Sequence, residues 1–310
     1  MKSVQFAEYG DPDVLHVADV EEPHAGPGQI RVAVRAAGVN PIDWKIRSGA
    51  MRQMMQIELP SIPGVEVAGV VDEVGGGVSG VSVGDAVFGF ALSAGSAQYA
   101  VVEQFALKPA AMSWAEAAGL PVAVETAVRT LDLLGVKGGD SVLINGAAGG
   151  VGVAATQFAR ARGASIIGTA SHNNHDFLRA LGATPTTYGE GLVGRVRQIT
   201  PEGANLALDT AGRGALPDLI EITGSPDNVV TIADYNAHDY GVRLSGGGER
   251  SYQALDQAAR LFEEGEFSMP VAQTFPLEQA AEAHRISQDG HVRGKLVLIV
   301  DEQIRGVGGA

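Results

Sequence analysis

In a chain with no cysteine at all, the residues whose spacing points most directly to chemistry are glycines. The stretch VLINGAAGGVGVAATQFAR, residues 142–160, places Gly146, Gly149 and Gly152 at equal intervals behind a short apolar run and ahead of a helical pattern. Glycine at such points lets backbone approach a bulky anion with no Cβ in the way. The helix that follows opens with N–H groups that have no intrahelical partner. Three glycines alone are a weak signal, but a strand before them and a helix after them make the pattern that of a pyrophosphate cradle for a dinucleotide. The cradle would comprise Gly146, Ala147, Ala148, Gly149, Gly150, Val151 and Gly152.

The choice of dinucleotide is read about 20 residues further on, where an Asp or Glu would bind both ribose hydroxyls of NAD. Here the second strand runs into TASHNNH, residues 169–175, and the first carboxylate is Asp176. Ser171 and His175 can donate to a 2′-phosphate that an acid would repel, so NADPH is the expected cofactor. The same residues suit the start of a helix near His175, and both roles can coexist. Asp209 closes LALD, residues 206–209, where the carboxyl end of a strand faces a cofactor crevice. It is equally suited to capping N–H groups of the turn after it.

These motifs need elements to hold them. Before residue 115 the chain shows short β-branched runs punctuated by glycine: QIRVAVRAAGV (29–39), VEVAGVVDEV (65–74), DAVFGFAL (85–92) and AQYAVVE (97–103). Such runs predict a coiled, barrel-like β domain. From Trp114 the pattern alternates: a helix to Leu134, the strand SVLIN (141–145), a helix from Val151, the strand SIIGTA (165–170) and the helix HDFLRALG (175–182). Two more strand-like runs, LALDTAG (206–212) and NVVTIAD (228–234), follow. Strands alternating with helices predict an α/β, doubly wound parallel sheet. After a last helix over 252–266, GKLVLIVD (294–301) returns to β texture and is expected to rejoin the first domain.

Composition narrows the partners. A chain of 310 residues, 45% hydrophobic, can bury a sizeable core, and its formal charge of -14 argues against nucleic acid. The first residues carry no apolar leader pattern, and the long uncharged stretch Ala86 to Val102 is broken by glycine, serine and glutamine. A cytoplasmic protein that does not cross a membrane is expected. The missing cysteines exclude disulfides, thiol nucleophiles and thiolate metal sites together. GVSVG (80–84) fits a nucleophile elbow only if a helix follows it, and DAVFGF continues as strand.

Five blocks in order carry a resemblance that covers nearly the whole chain: AAGVNPIDWKIRSG (36–49), IPGVEVAGVV (62–71), INGAAGGVGVAATQFAR (144–160), NHDFLRALGA (174–183) and AAEAHRISQDGHVRGKLVLIV (280–300). Together they resemble the zinc-free medium-chain dehydrogenase/reductase superfamily, in its NADPH quinone oxidoreductase-like group. The resemblance implies a GroES-like domain built from residues 1–117 and 259–310 around a Rossmann domain at 118–258, with the active site in the cleft. It also implies homodimers joined through the Rossmann sheets, near GVRLSGG (241–247). The segment NPIDWKIRSG would line the site, with Asn40 beside the nicotinamide and Asp43 and Lys45 as polar candidates. Lys45 would stabilise an enolate-like oxygen. The same residues also fit a helix start, Asn-Pro-x-Asp, with Lys45 in water. Tyr188 resembles a tyrosine placed by the 2′-phosphate, and Lys295 a basic residue brought toward the cofactor. A packing aromatic and a solvated lysine are the plainer readings of those two.

Zinc relatives place a cysteine where Asn40 stands and a histidine where Val65 stands. Neither Asn nor Val supplies such a ligand, and no metal is expected. Without a Lewis acid the acceptor must be polarised by hydrogen bonds, which favours a quinone or an α,β-unsaturated carbonyl, whose conjugation carries charge to a distant oxygen. The alternative is a nucleotide-binding redox sensor or scaffold with little turnover.

Overall fold

The computed structural model describes residues 1–92, 94–246 and 250–300; Gly247 of the GVRLSGG segment and Asp301 of the last strand-like run lie outside them. The chain divides into two compact units, one from Met1–Val122 with the segment beginning at Leu255, the other Ala123–Ala254.

The first unit opens with a two-stranded antiparallel ribbon, β1 (Lys2–Gln5) and β2 (His16–Asp19). Its main sheet starts with β3 (Ile30–Val39), followed by α1 (Pro41–Arg47), β4 (Glu66–Val74), β5 (Ala86–Ala91), β6 (Tyr99–Leu107) and α2 (Trp114–Ala118). β3 pairs antiparallel with β4, β4 with β5 and β5 with β6, and β6 returns to pair with β3. Those four strands therefore close on themselves, which leaves no open edge among them. Inward Val32, Val34, Val67, Val71, Val87 and Val102 form much of the core. β-branched side chains suit that pleated, two-sided burial.

The second unit begins within α3 (Pro121–Leu133), past its first two residues, so the expected single helix from Trp114 to Leu134 is two helices. Pro121 explains the break, since proline opens a helix readily and cannot continue one. Then come β7 (Ser141–Asn145), α4 (Gly150–Ala161), β8 (Ser165–Thr169), α5 (His175–Ala180), β9 (Thr184–Thr186) and α6 (Leu192–Ile199). β10 (Leu206–Asp209), α7 (Leu216–Thr223), β11 (Val229–Thr231) and β12 (Arg243–Leu244) complete it. All six strands are parallel, in the order β12-β11-β10-β7-β8-β9. Chain order reverses direction between β7 and β10, and the carboxyl ends at that reversal form the crevice where doubly wound sheets bind ligands.

The chain re-enters the first unit in α8 (Ala254–Glu263), then adds β13 (Val271–Pro276), α9 (Ala280–Asp289) and β14 (Lys295–Ile299). β14 lies antiparallel against β3, pairing Leu296 with Val39. No described helix is long and apolar enough to cross a membrane.

Candidate functional site

In the second unit, two of the three evenly spaced glycines are required by the fold itself. Gly146 has φ +83°, and a Cβ there would come within 2.7 Å of Thr210 Oγ1. A Cβ on Gly152 would lie 2.3 Å from the carbonyl oxygen of Gly146, so only glycine lets α4 pack onto the turn. Gly149 is the exception. It caps α4 with φ −77°, and a Cβ would meet nothing closer than the Gly146 oxygen at 3.5 Å, an ordinary contact. The protein itself makes no demand for glycine at 149, and the space that a side chain would fill lies open beside the start of α4. No side chain caps that helix. An anion seated there meets the N–H groups of Gly150, Val151 and Gly152 and the positive end of the helix dipole. Ala147 and Ala148 are buried beneath the turn.

A buried polar relay holds the loop from below. Gly146 N–H donates to Thr169 Oγ1 at 3.0 Å, and the Thr169 hydroxyl donates to Asn145 Oδ1 at 2.7 Å. Asn145 Nδ2 donates to Asp209 Oδ1, which also accepts the N–H groups of Ala211 and Gly212. The Thr231 hydroxyl donates to Asp209 Oδ2 at 2.7 Å. Thr169, Asn145, Asp209 and Thr231 end four neighbouring strands, so the relay crosses the sheet at its carboxyl edge. Asp209 is 0% exposed, and its oxygens are spent on these donors. Its capping reading describes what the structure shows, and through Asn145 it supports the loop.

Ser171 and His175 follow β8. Ser171 opens a short 3-10 turn over 172–174, and its hydroxyl oxygen accepts from Asn174 Nδ2 at 3.1 Å. That bond leaves the hydroxyl proton unused, and the Ser171 side chain makes no capping bond to the backbone of the turn. His175 stacks at a tilt on His172, ring centres 4.9 Å apart, and its buried Nε2 meets no hydrogen-bond partner. Tyr188 is half exposed on the loop after β9. That loop is tied down by Arg195, whose guanidinium donates to the carbonyls of Thr187, Tyr188, Gly189 and Glu190. Arg195 went unnoticed in the sequence because carbonyl-binding leaves no spacing pattern.

The first unit holds a second cluster. Asn40 precedes α1, with Pro41 at the first helical position, and Asp43 Oδ2 accepts the Asn40 N–H at 2.7 Å. Asn40 Nδ2 donates to Glu66 Oε1 at 2.8 Å, and Lys295 Nζ donates to the same oxygen at 2.6 Å and to Asn40 Oδ1. Glu66 Oε2 accepts the Val122 N–H. The register explains the meeting: continuing the β3–β14 pairing one step past Val39 and Leu296 sets Lys295 level with Asn40, and the β3–β4 pairing sets Glu66 level with Gly38. Lys295 is 4% exposed, so the solvated-lysine reading is overturned. Lys45 is half-buried, its ammonium 5.8 Å from the centre of the Trp44 ring. Burial pushes the Asp43 carboxyl up to about 7, the Asn40 N–H and Lys295 opposing that rise and Glu66 adding to it. Its Oδ1 is buried without a hydrogen-bond partner. Glu66 was not singled out in the sequence, where it stands within an ordinary β run.

Among the described residues, no group of three or more His, Cys, Asp or Glu side chains is arranged to hold a metal ion. An ammonium, that of Lys295, is hydrogen-bonded to the Asn40 side chain.

Residues 26–159 match the alcohol dehydrogenase GroES-like domain, and residues 181–298 match the zinc-binding dehydrogenase family. The chain is similar to a quinone oxidoreductase structure from Coxiella burnetii, 31% identical, with a TM-score of 0.85 over 97% of this chain and 99% of that one. An Escherichia coli quinone oxidoreductase complexed with NADPH aligns at 26% identity and a TM-score of 0.82, covering 96% of this chain and all of that one (100%). The 2-methylene-furan-3-one reductase of Solanum lycopersicum is 41% identical over 197 residues, 59% of this chain and 50% of that protein.

Proposed function

The chain belongs to the medium-chain dehydrogenase/reductase superfamily, in its quinone oxidoreductase-like group, and from that membership we propose that it is a zinc-free, NADPH-dependent reductase of quinones or α,β-unsaturated carbonyls. The observation that carries this reading is Gly149, a glycine that the fold does not need, at the mouth of a helix whose first N–H groups are uncapped.

The cofactor, when bound, supplies the hydride. The residues of the second unit hold it: the loop from Gly146 to Gly152 cradles the pyrophosphate, the relay through Asn145 and Asp209 keeps that loop in shape, and Ser171, His175 and Tyr188 meet the 2′-phosphate end. Asn40 and Lys45 orient the acceptor and donate toward the oxygen on which charge gathers, and the Asp43 carboxyl, pushed up to about 7 by burial, exchanges a proton near neutral pH beside that cluster. The residues at the expected zinc positions, Asn40 and Val65, do not fit that metal, and no step is assigned to it. The protein is proposed to work in the cytoplasm as a homodimer.

Support comes from the relatives: one acts on quinones, as its name states, one is named for reducing an enone, and one binds NADPH. Steady-state oxidation of NADPH and of NADH against a panel of small quinones and enones, with and without a chelator, tests the reading. Turnover with NADPH preferred and chelator without effect is expected. Tight NADPH binding without turnover on any acceptor would favour the redox-sensor or scaffold reading instead.

A further inference from the structure

Lys295 and Glu66 form an ion pair with 4% and 0% of their side-chain surfaces exposed. Such a pair is a poor device for stability alone, because desolvation offsets the attraction and apolar replacements are often neutral or better. The fold nevertheless opens space for it. A Cβ on Gly38 would lie 2.0 Å from Glu66 Oε1, and one on Gly119 would lie 3.1 Å from Lys295 Cγ. What the pair grips is the carboxamide of Asn40, whose oxygen accepts from the ammonium and whose nitrogen donates to the carboxylate. Turning that amide over would set NH₂ against ammonium and oxygen against carboxylate. One orientation is therefore enforced by charge, and of the two hydrogens on Nδ2 only one is taken by Glu66.

We propose that Lys295 and Glu66 are positioning residues: together they lock the Asn40 carboxamide so that its second N–H is held ready for the acceptor. The inference rests on Asn40 being a site residue, as proposed above. A donor fixed in advance spares the reorganisation that a freely turning amide would need during hydride transfer.

The test pairs spectroscopy with kinetics. In the native protein with ¹⁵N-labelled asparagine, the Asn40 side-chain signals are assigned by their loss in Asn40→Ala. One of the two hydrogens should exchange slowly with solvent, and in the double variant Lys295→Met with Glu66→Gln, which removes both charges at near-constant shape, both should exchange fast. The double variant should lose on the order of 100-fold in kcat with a small quinone, while KM for NADPH stays within about twofold. If Asn40→Ala is impaired and the double variant turns over normally, the inference falls and the proposed function stands. If Asn40→Ala itself turns over normally, Asn40 is no site residue and the inference falls, while the reductase reading stands without that residue. Should the double variant not fold, the native spectrum decides, and two equally fast Asn40 hydrogens overturn the lock.

Discussion

The carboxamide of Asn145 and the carboxylate of Asp209 meet at 2.8 Å across the ends of β7 and β10, the two strands between which the order of the parallel sheet reverses. With both Asp209 oxygens accepting, Asn145 turns its nitrogen toward them and its oxygen toward Thr169, and that choice sets the direction of each bond up to Gly146. Replacing Asp209 with Ala strands the Asn145 amide, the Thr231 hydroxyl and two backbone N–H groups. Unpaired buried donors cost about 1–3 kcal/mol each. A fall in thermal midpoint and a looser grip on NADPH are expected together, by calorimetry and by fluorescence titration. Unchanged affinity in a variant that still folds would show that the relay supports the sheet and not the loop.

Two glycines separate fold from ligand. Gly149→Val should remain folded by far-UV circular dichroism, since the fold accepts a Cβ there, while NADPH affinity drops on the order of 100-fold, or about 2.7 kcal/mol. Gly152→Val should instead lose stability, because its Cβ would press on the Gly146 oxygen at 2.3 Å. Near-normal affinity in folded Gly149→Val would remove the pyrophosphate cradle from the argument.

At Ser171 the outcome turns on charge. Ser171→Asp keeps an acceptor for Asn174, so the local turn is preserved, yet it places a carboxylate beside the proposed 2′-phosphate. The preference for NADPH over NADH, measured as a ratio of dissociation constants at low salt, should narrow or invert by repulsion. A ratio equal to the parent's would leave Ser171 only its bond to the Asn174 side chain.

Asp43 and His284 pull stability in opposite directions with pH. Asp43 is raised from 3.8 to about 7, chiefly by burial, so the stability that it contributes is full below pH 3.8 and is lost as pH rises through about 7. His284, buried beside the Arg47 guanidinium, is lowered from 6.5 to about 4, so its contribution is full above pH 6.5 and is lost as pH falls through about 4. Between these limits the two slopes largely cancel. Relative to the parent, Asp43→Asn should gain stability as pH rises from 4 to 7, by about 4 kcal/mol at most. His284→Phe should gain it as pH falls from 6.5 to 4. Denaturant midpoints across that range check both, and parallel curves for parent and variants would refute them.

The glycine loop was readable in advance because its pattern is local: strand, turn and helix follow one another directly from Ser141 to Ala161. The two buried networks were not. Thr169, Asn145, Asp209 and Thr231 are scattered over four strands, and only the parallel register sets their side chains in a row. Lys295 looked like a surface lysine because nothing nearby in the chain announces its partners. Its burial depends on Glu66, far away in sequence, and on Cβ atoms absent at Gly38 and Gly119. Periodicity reports which face an element buries, and carries no information about which distant strand end will supply a counter-charge.

That distance gives the Glu66–Lys295 contact a temporal side. The two residues are 229 positions apart, and the second unit, Ala123–Ala254, is made between them. During synthesis Glu66 and its neighbours on β3 and β4 leave the ribosome while the lysine that neutralises the carboxylate does not yet exist. At about 5–20 residues per second, that interval is on the order of ten seconds or more. Over that time the intervening unit can complete its own sheet, while Glu66 lacks its lysine partner. The four strands β3 to β6 can close on themselves without it, but the Glu66–Lys295 ion pair cannot form until the last strand arrives, and the order of translation becomes an order of assembly.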